Sequence, residues 1–257
     1  MSSKPQTTTS LDALATRAKI AIIVPATNTV VQPEMESMRP QGVTNHVSRM
    51  YLPPRPYDDM ESYRKALDTE EGNLEEALNL VLPSQPQAVA HGHSIHSFRG
   101  DRARALKEER RLEDMSGIPF VTPSMAVLEG LKAIGDPKNI AVLTPYWPPA
   151  DALIEEFFTS CGYQVMAKKG LQAQGPIAVA QFTEQQIMQG FEALKVPGVE
   201  AFIHVGTNLP VSAITPKIES AFGIPLIGVN VATYWLALRR LGLKDPLPGF
   251  GLLAENY

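Results

Sequence analysis

Gly117-Ile118-Pro119-Phe120 recurs as Gly223-Ile224-Pro225-Leu226, at a spacing of 106 residues (223 − 117). After each copy an alanine follows at the same spacing, Ala126 and Ala232, within a stretch that has apolar residues at helical spacing. A short apolar run that leads into such a stretch is typical of a buried strand followed by a helix. The repeat therefore indicates a duplicated α/β unit.

Two further pairs of segments repeat in the same order along the chain. Residues 20–25 (IAIIVP) are echoed at 140–145 (IAVLTP), and residues 88–94 (AVAHGHS) are echoed at 202–208 (FIHVGTN). The alternative is coincidence, because the apolar strands of any Rossmann-like chain resemble one another. Three echoes in one order favour duplication.

Six short apolar runs, bounded by Pro, Gly, Asn or His, have the character of buried parallel strands. They are residues 19–24, 87–90, 119–121, 139–144, 201–205 and 225–228. The amphipathic stretches that alternate with them are 57–81, 99–115, 124–134, 149–161, 183–194, 215–222 and 231–241. This alternation predicts an α/β fold, with parallel sheets covered by helices.

The 257 residues carry a net charge of −4, from 23 Lys+Arg and 27 Asp+Glu. The single cysteine, Cys161, excludes an internal disulfide and every cysteine-based zinc pattern, and it favours a reducing compartment, so the cytoplasm is the expected location. No Lys/Arg-rich run and no stretch of about 18 apolar residues occurs, so neither nucleic acid nor a membrane is expected as a partner. Residues 1–16 are expected to be a disordered tail.

The ends of four predicted strands are rich in small hydroxyl and amide side chains. These ends are residues 25–29 (PATNT), 91–97 (HGHSIHS), 144–147 (TPYW) and 206–209 (GTNL). In parallel α/β sheets ligands bind beyond the carboxyl ends of the strands, where the N–H groups of the following helices also point. Two similar units that face each other would pool these donors around one anionic ligand.

At these residues the sequence resembles the aspartate/glutamate racemase superfamily, specifically its branch of maleate cis-trans isomerases and arylmalonate decarboxylases. The groups of residues that carry the resemblance are 24–29 with 33–34, 94–100, 124–128 with 130–131, 144–146, 206–209 and 248–251. The resemblance implies two pseudo-symmetric, Rossmann-like α/β domains with parallel sheets and the active site between the domains. We expect the first domain at residues 17–121 plus 230–257 and the second at 122–229.

The chain departs from this family at the residues most important for catalysis. The resemblance implies one or two catalytic cysteines, one on each side of the substrate α-carbon, at positions that are Gly92 and Gly206 in this chain. Cys161 does not replace them, because it ends a helical stretch before Gly162, where a small buried residue is expected. The sequence therefore weakens the case for thiol-based racemisation or isomerisation.

The residues that hold the substrate carboxylate in the family are retained. The resemblance assigns carboxylate contacts to Asn28, Ser94, Tyr146, Thr207 and Asn208. The other residues expected to line the substrate are Pro25, Tyr57, Gly92 and Gly206. Tyr57 has two interpretations: a tyrosine on a lid over the substrate, or a loop aromatic that caps the following helix. Glu34 is expected only to serve the first turn of its own helix.

Four of the five histidines lie at two of the strand ends: His91, His93, His96 and His204. A neutral imidazole exchanges protons near pH 7, so it is the simplest replacement for a thiol acid-base pair. His93 directly follows the vacated cysteine position and is the predicted proton donor, with a titration between about pH 5.5 and 7.5. His96 and Tyr146 are the other candidate catalytic residues. A packed network of imidazoles, and a zinc site that would need Asp101, remain as alternatives.

We therefore predict an enzyme without cofactor or metal that binds a small carboxylate or dicarboxylate and stabilises an enediolate-like oxyanion with convergent donors. Decarboxylation fits best, because loss of carbon dioxide needs one proton donor whereas racemisation needs two. Three alternatives remain: a maleate-type cis-trans isomerase or racemase, a hydrolase or hydratase with a histidine-activated water, and a non-catalytic carboxylate-binding protein. Assembly into a homo-oligomer is left open.

Overall fold

In the computed structural model, which describes residues 11–51 and 73–257, the chain forms two four-stranded parallel sheets. The first contains β1 (Ala18–Pro25), β2 (Val43–Met50), β3 (Ala88–His91) and β4 (Phe120–Val121). The second contains β5 (Asn139–Thr144), β6 (Gln164–Gly170), β7 (Ala201–His204) and β8 (Leu226–Gly228). The strand orders β2-β1-β3-β4 and β6-β5-β7-β8 are one arrangement in two copies, which confirms the predicted pseudo-symmetric α/β fold.

Helices connect the strands and cover the sheets. Those of the first half are α1 (Val31–Ser37), α2 (described over 73–81), α3 (Ser94–Ser97), α4 (Arg102–Ser116) and α5 (Pro123–Ala133). Those of the second half are α6 (Pro148–Ser160), α7 (Glu184–Glu192), α8 (Thr215–Phe222), α9 (Val229–Arg240) and α10 (Leu252–Asn256). No helix in the described part of the chain is long and apolar enough to cross a membrane.

The repeated sequence motif makes the same turn in both halves. Gly117 and Gly223 follow α4 and α8 in the left-handed conformation, with φ of 71° and 66°, which glycine adopts without the steric cost of a Cβ. In each half a glutamate four residues earlier then accepts the N–H of the next strand. The pairs are Glu113 with Phe120 at 3.3 Å and Glu219 with Leu226 at 2.9 Å. The repeat therefore encodes a helix end and its attachment to the sheet.

The two sheets share one apolar core, to which β1, β3, β5 and β7 all contribute. Helix α9 follows β8 in the chain but packs against β3 and β4 of the first sheet, whereas α5 follows β4 and packs against β8 and α9. Each half therefore covers part of the other, and these contacts fix the position of one sheet relative to the other. The predicted domain boundaries, 17–121 plus 230–257 and 122–229, stay a prediction.

The edge strands β2 and β6 are not among the strands predicted from the apolar runs of the sequence. Four consecutive residues of β2 are only partly buried, and no residue of β6 is buried. An edge strand that is open to solvent lacks the continuous apolar run of a central parallel strand. Of the predicted tail, residues 11–16 are described; they form no helix or strand, but they bury Ala15. Tyr57 and most of the predicted helix at 57–81 lie outside the described residues.

Candidate active site

Two loops that follow β3 and β7 meet between the sheets; we call residues 92–97 the first strand-end loop and residues 206–212 the second. Thr207 joins them, because its Oγ1 donates to Gly92 O at 2.9 Å and its N–H donates to Ser94 Oγ at 3.3 Å. Both Ser94 and Thr207 are buried. The carboxyl ends of one strand from each sheet are therefore in direct contact, at the place where α/β proteins bind ligands.

Asn28 brings the end of β1 to the same point. Its Nδ2 donates to Thr207 Oγ1 at 3.4 Å, while its Oδ1 accepts the N–H groups of Val30 and Val31 at 3.0 and 2.9 Å. The side chain is buried, with 3% of its surface exposed. The start of α1 therefore orients the amide, so that its NH₂ group faces the second strand-end loop.

Tyr146 reaches the site from the end of β5. Its hydroxyl oxygen lies 2.9 Å from Ser94 Oγ. Its backbone N–H donates to Thr144 Oγ1 at 3.0 Å, and the Thr144 hydroxyl donates to Asp151 in the first turn of α6. Burial raises the pKa of Asp151. The backbone that carries the phenol is thus held by its own strand and helix.

Asn208 links the rim of the site to the turn after β1. Its Oδ1 accepts the Thr29 N–H at 2.9 Å, and its Nδ2 donates to Pro176 O at 2.8 Å. The predicted site residues that the structure brings to these strand ends are Pro25, Asn28, Gly92, Ser94, Tyr146, Gly206, Thr207 and Asn208. Their roles toward a substrate stay predictions.

The histidines of the first strand-end region lie together and are buried: His91, His93 and His96. The ring centroids of His91 and His93 are 6.0 Å apart, and the Phe120 ring lies 5.9 Å from His91. Phe120 belongs to the apolar cluster formed with α2 and α4, away from the core that the two sheets share. The His91 ring therefore packs on the outer side of the first sheet, with the edge of the His93 ring against it.

Burial decides the protonation of these rings. It lowers the pKa of His93 to about 3, with a smaller contribution from His96, and it lowers the pKa of His91 well below its ordinary value. Burial also lowers the pKa of His204, inside β7, to about 3. The expectation that His93 titrates between about pH 5.5 and 7.5 is therefore wrong, since these rings are neutral at pH 7. The catalytic roles of His93 and His96 stay predictions.

The described residues do not provide the set of ligands that the alternative zinc site would need. Asp101, which it would need, caps α4 by accepting the Arg104 N–H at 2.8 Å. Over residues 11–51 and 73–257, no three side chains of His, Cys, Asp or Glu lie close enough together to hold a metal ion.

The two glycines at the positions where the resemblance implies cysteine do not face empty pockets. A Cβ on Gly92 would lie 2.8 Å from methyl groups of Val24 and Val31. At Gly206, φ is +148°, which L residues rarely adopt, and a Cβ would lie 2.7 Å from Pro145 Cγ. These side chains occupy the space in which a cysteine side chain would begin.

Cys161 is remote from the site. It follows α6, a helix of 13 residues that begins directly after Trp147. At 1.5 Å per residue the far end of this helix lies about 20 Å from Tyr146. Burial also raises the pKa of the Cys161 thiol, so the only cysteine of the chain is neither near the site nor activated.

A small cavity lies behind the first strand-end loop. Its volume is about 10 Å³, close to the smallest that admits one water, and His91, His96, Ser97 and Ser124 are among its lining residues. Ser97 Oγ donates to Ser94 O at 2.8 Å and accepts the Ser124 N–H at 3.2 Å. Among the described residues, His91 Nε2 and Ser124 Oγ find no hydrogen-bond partner.

Glu34 contacts the second strand-end loop from the opposite half of the molecule, which sequence analysis does not predict. Its carboxylate accepts the Ser212 N–H at 2.9 Å, the Ser212 hydroxyl at 2.6 Å and Asn230 Nδ2 at 2.7 Å. Asn230 Nδ2 also donates to Thr207 O at 2.9 Å. Burial raises the pKa of Glu34. The sequence contains one indication of this contact: Pro33-Glu34 is among the residues that carry the family resemblance, although the resemblance gives Glu34 no role at the site.

Comparison with known proteins agrees with this α/β fold. The family model described as arylmalonate decarboxylase matches residues 20–254. The chain therefore belongs to the arylmalonate decarboxylase family, and it is an enzyme of the lyase or isomerase class.

The proteins that this chain is similar to include both isomerases and decarboxylases. The chain is 21% identical to the maleate isomerase of Geobacillus stearothermophilus, over 95% of this chain and 100% of that protein. It is 28% identical to the arylmalonate decarboxylase of Bordetella bronchiseptica, over 68% of this chain and 74% of that protein. Among solved structures, the fold is shared by a serine-for-cysteine variant of Nocardia farcinica maleate cis-trans isomerase, which carries a covalently bound succinylcysteine intermediate. The TM-score is 0.83 at 20% identity, and the match covers 93% of this chain and 99% of that chain.

Proposed function

We propose that the protein is a cofactor-independent decarboxylase that removes one carboxylate from a malonate-like diacid and protonates the remaining α-carbon. Membership of the arylmalonate decarboxylase family supports a reaction of this kind. Because the relatives include isomerases as well, the choice between the two reactions depends on this chain's own residues.

The observation that carries the proposal is a pair of buried donors that are only weakly engaged. The Asn28 Nδ2 to Thr207 Oγ1 distance is 3.4 Å and the Thr207 N to Ser94 Oγ distance is 3.3 Å, both longer than the usual 2.9–3.0 Å. A carboxylate is a stronger acceptor than a hydroxyl, so both donors gain energy by turning to it. The same donors would stabilise the enediolate that forms from the bound carboxylate.

In the proposed reaction the bond between the α-carbon and one carboxylate breaks, and carbon dioxide leaves without the electron pair. The pair moves into the second carboxylate group as an enediolate, which Asn28 and Thr207 bind. The Tyr146 hydroxyl then donates its proton to the α-carbon, and the phenolate recovers a proton from solvent. One proton is consumed in each turnover.

Tyr146 is a better candidate for this donor than His93. Its hydroxyl lies 2.9 Å from Ser94 Oγ, inside the group of residues that joins the two sheets. A phenol ordinarily titrates near pH 10, so it carries its proton throughout the neutral range. His93, whose pKa is lowered to about 3, has lost its acidic proton at pH 7. His96 lines the cavity behind the loop.

The second candidate function is cis-trans isomerisation of a maleate-like diacid, favoured by the end-to-end likeness to the Geobacillus maleate isomerase. The Nocardia neighbour holds a covalently bound succinylcysteine. In this chain the only cysteine lies about 20 Å from Tyr146, so an equivalent thiol adduct could not form at the site. Decarboxylation, which needs no thiol adduct, is therefore preferred.

Proton NMR in D₂O, with phenylmalonate and maleate as separate substrates, tests the proposal. We expect phenylmalonate to give phenylacetate with one α-deuterium, maleate to give no fumarate, and prior dialysis against EDTA to change neither result. Tyr146→Phe should lower the rate by about 10²- to 10⁴-fold, as expected for a lost general acid. His93→Gln and the control His46→Gln, in the middle of β2, should leave the rate largely unchanged. Fumarate production would overturn the decarboxylase assignment, and a Tyr146→Phe variant as fast as wild type would overturn the donor assignment.

A further inference from the structure

We propose that Glu34 is a positioning residue of this site: acting through Asn230, its carboxylate holds Thr207 in the orientation that presents the Thr207 N–H to the substrate. The inference rests on the proposed function for the identity of the ligand. The contacts that carry it are independent of which reaction follows.

The surroundings of Glu34 suit a carboxylate and no other group. The neighbours that bond it are donors: the Ser212 N–H, the Ser212 hydroxyl and the Asn230 amide, together with a backbone hydrogen bond from Val211. An ionised carboxylate has only acceptor sites, about four of them, so it matches this set of donors. A glutamine would turn one amide N–H₂ toward groups that themselves donate.

Glu34 determines which way the Asn230 amide points. Nδ2 of Asn230 donates to both Glu34 Oε2 and Thr207 O, at 2.7 and 2.9 Å, while the buried Oδ1 has no hydrogen-bond partner among the described residues. A flipped amide would direct its oxygen at two acceptors. The carboxylate therefore maintains the orientation in which Asn230 binds the Thr207 carbonyl.

Thr207 needs such a brace because of the residue before it. Gly206 has φ of +148° and no side chain to restrict its rotation. The Thr207 N–H is the group proposed to face the substrate, and it lies 3.3 Å from Ser94 Oγ, while the Thr207 hydroxyl donates to Gly92 O at 2.9 Å. Glu34 lies on α1 of the other half and acts on the Thr207 carbonyl through Asn230, so this chain of hydrogen bonds also ties the two halves together at the site.

The first test compares Glu34→Gln with Glu36→Gln, a matched control on the same helix whose exposed carboxylate pairs with Arg39 at 2.5 Å. With phenylmalonate as substrate, Glu34→Gln should raise KM and lower kcat, with kcat/KM falling about 10-fold, because the Thr207 N–H is proposed both to bind the substrate carboxylate and to stabilise the enediolate. Hydrogen exchange of the Thr207 and Asn208 amides, followed by NMR, should accelerate about 10-fold. Glu36→Gln should match wild type in all three measurements.

The double variant Glu34→Gln/Asn230→Asp separates positioning from stability. It restores a hydrogen bond between positions 34 and 230 with donor and acceptor exchanged, but it leaves Thr207 O without its donor. We expect the melting temperature to recover toward wild type while KM stays high. Recovery of KM together with stability would mean that the contact is merely structural and would overturn the proposal. If the wild type turns over neither phenylmalonate nor maleate, the proposed function is wrong. If the hydrogen exchange of the Thr207 amide is unchanged in Glu34→Gln, the positioning role of Glu34 is wrong, whatever the reaction.

Discussion

The two strand-end loops occupy equivalent places in the duplicated fold, but they are held in different ways. Ser124 and Asn230, 106 residues apart, are each the second residue of the helix that follows the last strand of a half. In the first half, the Ser124 backbone N–H donates to the hydroxyl of Ser97, a neutral group of the same half. In the second half, Asn230 binds Glu34, a carboxylate from the other half. Equivalent positions in the two halves therefore make different contacts: a backbone N–H to a hydroxyl in the first, and a side-chain amide to a carboxylate in the second.

The titratable groups beside the two loops differ in their response to acid. The buried histidines beside the first loop have pKa values below their ordinary range, so their neutral forms contribute stability that is lost as the pH falls. Glu34 has a raised pKa, so its contribution is lost as the pH rises instead. His204, which ends β7 just before the second loop, also has a lowered pKa, so variants at Glu34 and at His204 should change the pH dependence of stability in opposite directions.

The largest expected effect is on the acid side of the stability curve. With a folded pKa of about 3 and an ordinary value of 6.5, His93 contributes stability that is complete above pH 6.5 and declines from there toward pH 3, by up to about 1.4 kcal/mol per pH unit. In His93→Gln this part of the slope should disappear, as measured by urea unfolding at pH 7, 6 and 5. His46→Gln is the control, and parallel curves for wild type and His93→Gln would show that His93 is not held neutral.

The next comparison concerns the glycines of the two loops. Gly206→Ala should lower the free energy of unfolding by about 2–3 kcal/mol, because it combines a disfavoured φ with contact against Pro145. Gly92→Ala should cost about 1 kcal/mol, since only valine side chains need to shift. Urea unfolding at pH 7 measures both. If Gly92→Ala lowered the free energy of unfolding more than Gly206→Ala, the first loop would be the less tolerant of a side chain, contrary to this prediction.

Asn28 contributes both to folding and to the site, so two substitutions separate its roles. Asn28→Ala removes the acceptor for the Val30 and Val31 N–H groups and should cost about 1 kcal/mol of stability. Asn28→Asp retains that acceptor, but it replaces the NH₂ donor with negative charge. Calorimetric titration with malonate should therefore show weaker binding in both variants, with the fold stable in Asn28→Asp. Undiminished malonate binding by Asn28→Asp would remove Asn28 from the site.

The smallest effect is expected at Cys161, which lies about 20 Å from Tyr146. Cys161→Ser should retain wild-type turnover of phenylmalonate, and iodoacetamide should not inhibit the wild type, because the thiol is remote and burial raises its pKa. Inhibition that Cys161→Ser escapes would place essential chemistry at the thiol after all.

Local sequence was enough to predict the fold class and the ends of the central strands. A buried central strand such as 139–144 carries its own continuous apolar run, and the motif at Gly117 and Gly223 carries its own turn. Both signals depend on neighbours in sequence, so they can be read without coordinates. The edge strands β2 and β6 lack that signal, because solvent covers part of each.

Tertiary structure alone decided the protonation of His93 and the partners of Glu34. The low pKa of His93 arises from burial, which depends on how the rest of the chain packs around the ring. The bonds from Glu34 to Ser212 and Asn230 join residues 178 and 196 positions apart. No local pattern specifies such pairs. They exist because α9 and the second strand-end loop are folded back against the first half, where a carboxylate on α1 meets their donors.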